Sequence, residues 1–224
     1  MEAVSAIVTA AGKNQRMRED LESRGIPYRH KLLLDLDEES VLEKTVKNVL
    51  AAGVGECVVV LGHYQEELLP SLEKIKDNKL RIVYNSDVEV ELSQTLLNGV
   101  LNTITDYCLC VAADQPSVST LTLENLIDAL FQSSEPDNTI SVLARRGIGT
   151  LESAEGLGMP FVCHRGLLMK YLSQDEDNLN PILRKMKSDG VNFYGVPHRE
   201  EIELININRY EDYLNVQEEL KKRN

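Results

Sequence analysis

The chain has 224 residues, 42% of them hydrophobic and 27% charged, with a formal net charge of −12. That length suits one domain, expected over 1–224, with a full hydrophobic core. The acidic balance excludes an extended nucleic-acid footprint, which needs clustered Lys and Arg.

Strands and helices alternate almost to the end of the chain. Apolar runs predict strands at 6–9, 57–61, 81–84, 107–112, 139–143, 161–163, 193–196 and 203–207, and amphipathic patterns predict helices at 40–52, 65–75, 93–104, 122–133, 166–173, 181–188 and 210–222. Ser40 and Glu43 form a capping-box pattern at the first of these helices, and Gly53 and Gly55 close it. The first four strands are near-continuous apolar runs, the pattern of a parallel sheet covered on both faces. A three-layer α/β/α sandwich with a mostly parallel sheet is therefore expected. Two segments break the alternation as long loops, 18–30 and the glycine-rich 145–158; such loops usually carry binding function.

No apolar run approaches the ~18 residues of a membrane span, and the N-terminus lacks the basic start and apolar stretch of a signal peptide. A reducing cytoplasm and no membrane partner are expected. Of the four cysteines, Cys108 and Cys110 alternate within an apolar run and read as buried thiols on one strand face. The four histidines have no partner nearby in sequence, so no histidine metal site is expected, and His63 reads as a surface loop residue.

The run from Ala6 to Met17 carries the strongest signal. A short strand breaks into Thr9, Ala10, Ala11 and Gly12, then delivers Lys13 and Arg16. Small residues let backbone N–H groups approach an anion, and the cations neutralise it. Neither G-x-G-x-x-G nor G-x-x-x-x-G-K-[ST] is present, which argues against a nicotinamide dinucleotide site and a Walker-type NTPase.

Asp114 follows the strand at 107–112 and lies, like the 9–13 loop, at a carboxyl end, where open α/β sheets bind ligands. A carboxylate there suits Mg²⁺, which takes one or two protein carboxylates plus phosphate oxygens. On the residues alone an Asx turn or helix cap is the stronger reading, because Asp before Gln115-Pro116 is good turn chemistry. Asn206 and Asn208 alternate at the end of the 203–207 run, and either suits the N-cap of the last helix. Ser93 and Thr95 open a helix, with Ser93 also suited to the N-cap.

Thr9-Ala10-Ala11-Gly12, Arg16-Met17 and Lys31, then Ala112-Ala113-Asp114-Gln115-Pro116, then Asn206-Ile207-Asn208, resemble in that order the signatures of nucleotidyltransferases with the nucleotide-diphospho-sugar transferase fold. Glu91 to Gly99 resembles the helix start that this family places near the nucleotide. Within the superfamily the chain is similar to the molybdenum cofactor nucleotidyltransferases, and Thr9 to Gly12 and Val83 to Asp87 to their cytidylyltransferase branch. The chain departs from the pattern at Asn14 for Ser or Gly, Arg18 for Gly after Met17, Ala113 for Gly before Asp114, Met159 for His before Pro160, and Asn206 and Asn208 for Asp in the late segment.

The resemblance implies a Mg²⁺-dependent enzyme that transfers CMP from CTP to a phosphate-bearing acceptor, molybdopterin, with release of pyrophosphate. It implies nucleotide binding by Thr9, Ala10, Ala11, Gly12, Lys13, Arg16, Lys31, Ser93 and Thr95, catalysis by Lys31 and Arg16, and a metal on Asp114 with Asn206 and Asn208. The Ala11 methyl is expected to crowd a purine and so favour CTP over GTP. A sugar-phosphate or polyol-phosphate acceptor, and a non-catalytic nucleotide-binding protein, stay open beside it.

Overall fold

The computed structural model describes residues 4–172 and 178–223. Its chain order is β1 (Val4–Ala10), α1 (Gln15–Ser23), β2 (Asp35–Leu36), β3 (Glu39–Ser40), α2 (Val41–Ala51), β4 (Glu56–Leu61), α3 (Gln65–Glu73), β5 (Leu80–Tyr84), α4 (Leu92–Leu101), β6 (Tyr107–Ala112), α5 (Thr120–Phe131), β7 (Thr139–Leu143), β8 (Gly149–Thr150), β9 (Phe161–His164), α6 (Arg165–Leu172), α7 (Leu179–Ser188), β10 (Asn192–Val196) and α8 (Tyr210–Arg223). One sheet runs in the order β5-β4-β1-β6-β9-β7-β10-β8. β1 is parallel to β4 and β6, whereas β9 runs antiparallel to β6 and β7.

Alternation along each buried strand splits the core in two. Val8, Ala10, Val59, Leu61, Leu109 and Val111 meet α1, α2, α3, α5 and α8 on one face. Ile7, Val58, Val60, Cys108 and Cys110 meet α4, α6 and α7 on the other. The expected sandwich and the buried thiols of Cys108 and Cys110 are both present. α4 sits unusually close to the sheet, since a Cβ on Gly99 would lie 2.3 Å from the Ile7 side chain. That approach sets the position of the α4 N-terminus at the site. No described helix is long and apolar enough to cross a membrane.

Two readings of local structure are corrected. The 18–30 loop is half helix, because α1 extends to Ser23. Its apolar seam is only Met17 and Leu21, so the run looks polar, but Asp20 ties it to the C-terminal helix by accepting the Tyr210 N–H at 2.9 Å. The expected strand at 203–207 is instead a 3₁₀ turn, Glu201–Leu204, followed by extended chain. Buried Glu203 forces the turn: it accepts N–H bonds from Ser119 and Arg199 and the Thr122 hydroxyl, at 2.8–3.0 Å.

Candidate nucleotide and acceptor site

A cavity of about 680 Å³ opens at the carboxyl ends of β1 and β6. From β1 the chain passes to β4 on one side and returns to β6 on the other, which makes this crevice the switch point of the sheet. Its wall holds Thr9 to Met17, Lys31, Thr95, Asp114, Arg145, Asn206 and Asn208. Every residue expected in the site is thereby gathered except Ser93. That residue is buried inside the α4 first turn and is not its N-cap, a position taken by Glu91.

Lys31 meets Asp114 in the cavity, its Nζ 2.5 Å from Oδ2 and 3.4 Å from Asn208 Oδ1. Both side chains of the ion pair are about 15% exposed (16% and 14%). Lys31 opens a 3₁₀ turn whose Leu32 N–H is accepted by His30 Nδ1. His30 is buried, and burial together with the Lys31 charge pushes its imidazole down to about 4. α1 and a strap of residues 24–30 behind it span the stretch from Met17 to Lys31, which brings Lys31 to Asp114.

Past β1, Asn14 adopts φ 55°, a left-handed conformation that Gly and Asn tolerate best. This bend starts α1, whose first-turn N–H groups face an anion-binding end. Arg16 is exposed there and has no ion pair among the described residues. Lys13 donates to Glu89 at 2.7 Å, and His63 Nε2 lies 3.1 Å from the same carboxylate, so His63 has a partner that sequence proximity hides. Arg18 serves the scaffold: it bonds the Tyr64 hydroxyl and lies 5.1 Å from the Tyr28 ring centre. Tyr28 in turn accepts from Asn14 Nδ2 at 3.2 Å, so two of the departures from the motif jointly dock the strap on the loop.

The Ala11 methyl is spent on packing. A Cβ on Gly62 would lie 2.7 Å from it, so it fills the niche over β4's end. Ala11 is also part of the cavity wall. Thr9 lines the wall with its hydroxyl 3.9 Å from the Met159 sulfur, and Thr95 accepts from Asn85 Nδ2 at 2.9 Å.

The amide orientations around Asp114 follow from one chain of bonds. Gln115 is pinned, its Oε1 accepting from the Ala112 N–H and its Nε2 donating to the Met159 carbonyl. Asn206 Oδ1 therefore faces Gln115 Nε2 and the Arg145 guanidinium, each at 3.3 Å, and Asn206 Nδ2 donates to Asp114 Oδ1 at 3.1 Å. Asn206 thus steadies the carboxylate with its NH₂ and gives its oxygen to donors. Neither Asn caps α8, because Asp212 accepts the Asn208 and Arg209 N–H groups.

No group of three or more His, Cys, Asp and Glu forms a metal site among the described residues. Asp114 alone, with the Asn208 amide oxygen near it, is a donor set for a hard cation that takes most ligands from phosphate and water. The Lys31 ammonium already lies against that carboxylate, so the position favours positive charge. The sequence reading missed Gln115 and Arg145 as members of the site. Arg145 stands two residues past β7, at another strand end, and that placement was the available signal.

A family model, the MobA-like NTP transferase domain, matches residues 6–189. A nucleotidyl transferase from Methanothermobacter thermautotrophicus is 42% identical, with a TM-score of 0.92 over 99% of both chains. The 4-diphosphocytidyl-2C-methyl-D-erythritol synthase of Anaerococcus prevotii shares the fold, with a TM-score of 0.71 at 18% identity over 98% of this chain and 99% of that one. The probable molybdenum cofactor guanylyltransferase of Methanosarcina acetivorans is 28% identical over 132 residues, 58% of this chain and 52% of that protein. The bifunctional protein GlmU of Francisella tularensis is 25% identical over 193 residues, 86% of this chain and 37% of that protein. The chain thus spans about half or less of the length of these curated relatives. The match over most of its length, on a fold that brings the motif residues to one cavity, shows that the chain belongs to the MobA-like NTP transferase family.

Proposed function

We propose that the protein is a nucleotidyltransferase that passes a nucleoside monophosphate from an NTP to a phosphate-bearing acceptor and releases pyrophosphate. The observation that carries this reading is the Lys31–Asp114 pair, 83 residues apart in sequence and joined in a cavity whose other wall is the phosphate loop. An acceptor phosphate oxygen attacks the α-phosphorus, and the bond from that phosphorus to the bridging oxygen of pyrophosphate breaks. The acceptor phosphate is already ionised near neutral pH, so positioning and charge neutralisation do the work. Backbone N–H groups of 11–13 and Arg16 hold the outer phosphates, and Lys31 faces the α-phosphate. Asp114 would hold Mg²⁺ with Asn208 beside it, and that ion would supply charge neutralisation and phosphate orientation. Asn206 holds Asp114 in place.

The finer reading is CTP as donor and molybdopterin as acceptor. It rests on the resemblance of the 9–12 and 83–87 segments to the cytidylyltransferase branch and on the molybdenum cofactor relative. The name of that relative makes GTP the competing donor. Met159, in the cavity wall where the branch has His, favours a second acceptor class, sugar or polyol phosphates. Pyrophosphate release with each NTP across molybdopterin and several sugar and polyol phosphates tests all of this. Turnover with CTP and molybdopterin is the expected result. Preference for GTP overturns the donor, and turnover only with a sugar phosphate overturns the acceptor. Nucleotide binding without pyrophosphate release under every condition overturns the enzymatic reading in favour of a non-catalytic binder.

A further inference from the structure

Arg145 is a cation with no work assigned to it. It lies two residues past β7, at the base of the glycine-rich 145–158 segment, and it lines the cavity. The neighbouring Ala144 N–H is fixed on the Val196 carbonyl at 2.8 Å, so the base of this segment is anchored. The guanidinium makes two hydrogen bonds, to the Leu204 carbonyl at 3.1 Å and to Asn206 Oδ1 at 3.3 Å. Both acceptors are neutral, and no carboxylate pairs with Arg145 among the described residues. Of the other cations of this cavity, Lys13 has Glu89 and Lys31 has Asp114, while Arg16 is unpaired at the start of α1 among the described residues. Partial burial pushes the Arg145 guanidinium down, yet an arginine stays charged at neutral pH. Arg145 is exposed at the edge of the cavity, so an incoming anion can reach its guanidinium and supply the counter-charge it lacks.

Its place narrows the ligand. Asn206 bonds Arg145 through its oxygen and Asp114 through its nitrogen, so Arg145 stands one side chain away from the Asp114 carboxylate. Arg16 serves the phosphate loop from α1, whereas Arg145 reaches the cavity from β7, three strands from β1 in the sheet. Two hydrogen bonds leave most of the five guanidinium donors free, and these match the oxygens of a phosphate better than a point charge does.

We propose that Arg145 binds the attacking phosphate of the acceptor and thereby restricts the acceptor to phosphomonoesters. The proposal rests on the nucleotidyl-transfer reading and names the acceptor side of the same cavity. Asn206 then links two events: a phosphate on Arg145 is drawn to the group that holds Asp114, next to the Lys31 side of the reaction.

Phenyl phosphate is a suitable probe, titrated calorimetrically into wild type, Arg145→Lys and Arg145→Gln, with and without a non-hydrolysable CTP analogue and Mg²⁺. Wild type should bind it, Arg145→Gln roughly tenfold or more weakly, and Arg145→Lys in between, since lysine keeps the charge but loses the fork. Affinity for the CTP analogue should stay within about twofold across the three proteins, which a merely structural role for Arg145 would not allow. Equal phenyl phosphate affinity in wild type and Arg145→Gln overturns the proposal, as does no binding by wild type or a parallel loss of analogue affinity. Failure of all three proteins to bind the CTP analogue, with the phenyl phosphate difference intact, overturns the nucleotidyl-transfer reading and leaves the Arg145 anion site standing.

Discussion

Glu56 and Asp114 are carboxylates at opposite ends of the central strands, and they are handled differently. Glu56 begins β4 at the amino end and is 4% exposed. It accepts from the Ser5 hydroxyl at 2.6 Å, the Ile104 N–H at 2.8 Å and the Arg81 guanidinium at 2.9 Å. Burial pushes its pKa up, but Ser5, Ile104 and Arg81 outweigh that and hold it below the usual carboxylate range. Asp114 follows β6 at the carboxyl end and lines an open cavity, with an ammonium and one amide as partners. The amino end also lacks the loose polar atoms of the other: Asn14 Oδ1, His30 Nε2, His63 Nδ1 and Ser93 Oγ have no hydrogen-bond partner among the described residues. A closed network stabilises a fold, whereas an open one stays available for a ligand.

The sharpest way to break this contrast is Asp114→Asn. Turnover should fall on the order of 10³-fold or more, because charge control at the reacting phosphates is lost. The melting temperature should move little, since the cavity leaves the amide hydrated. Rates near wild type at saturating Mg²⁺ would show that Asp114 is as structural as Glu56.

His30 tests the cost of the loose end in acid. Its imidazole titrates at about 4 when folded, against about 6.5 when unfolded, so the unfolded chain binds more protons between those values. Stability therefore falls as pH drops from 6.5 to about 4 and the contribution is flat below that. The full difference is on the order of 3 kcal/mol. His30→Asn keeps an acceptor for the Leu32 N–H and removes the titration. Urea midpoints across pH 4–8 should show wild type losing ground to the variant only below about pH 6.5; parallel curves would remove the effect.

Lys31→Ala and Arg16→Ala should separate within the cavity. Loss of Lys31 lowers kcat by about 10²-fold, comparable to removal of one preorganised donor at a transition state. Loss of Arg16 mainly raises KM for the NTP. Steady-state kinetics decide it, and an unchanged kcat in Lys31→Ala would place the reacting phosphate elsewhere.

Glu56→Ala is the counterpart of the first variant. It leaves the buried Ser5 hydroxyl and the Ile104 N–H without their acceptor and should cost about 2 kcal/mol of stability. Activity per folded molecule should be kept. A matching loss of activity with no shift in the denaturant midpoint would reverse the assignment of the two ends.

The smallest effect belongs to Glu89→Gln. Glu89 holds Lys13, and both are exposed, so the pair is weak. Releasing Lys13 for the incoming phosphates should lower KM for the NTP by about two- to fivefold at low salt, with the gain fading as salt rises. A higher KM would mean that Glu89 positions Lys13 for binding.

Much of this was legible in the sequence, and the illegible parts share a cause. Local pattern found β1, β4, β6 and the helices between them, because hydrophobic periodicity is written residue by residue. It failed where few side chains carry an element, as in α1, and where a distant partner sets the backbone, as Glu203 does through Ser119 and Thr122.

Sequence by itself determined the layered sandwich, the small-residue turn at the end of β1 and the candidacy of Asp114, since strand ends and small-residue turns are local features; Lys31 became a candidate through the family resemblance alone. Only the tertiary structure decided that Lys31 meets Asp114 across 83 residues, that Asn206 turns its NH₂ to the carboxylate, and that Arg145 joins the site without a counter-charge. Those are relations between side chains from different strands, and sheet order creates them. A chain that winds from β1 to β5 and returns to β6 brings loops far apart in sequence to one crevice.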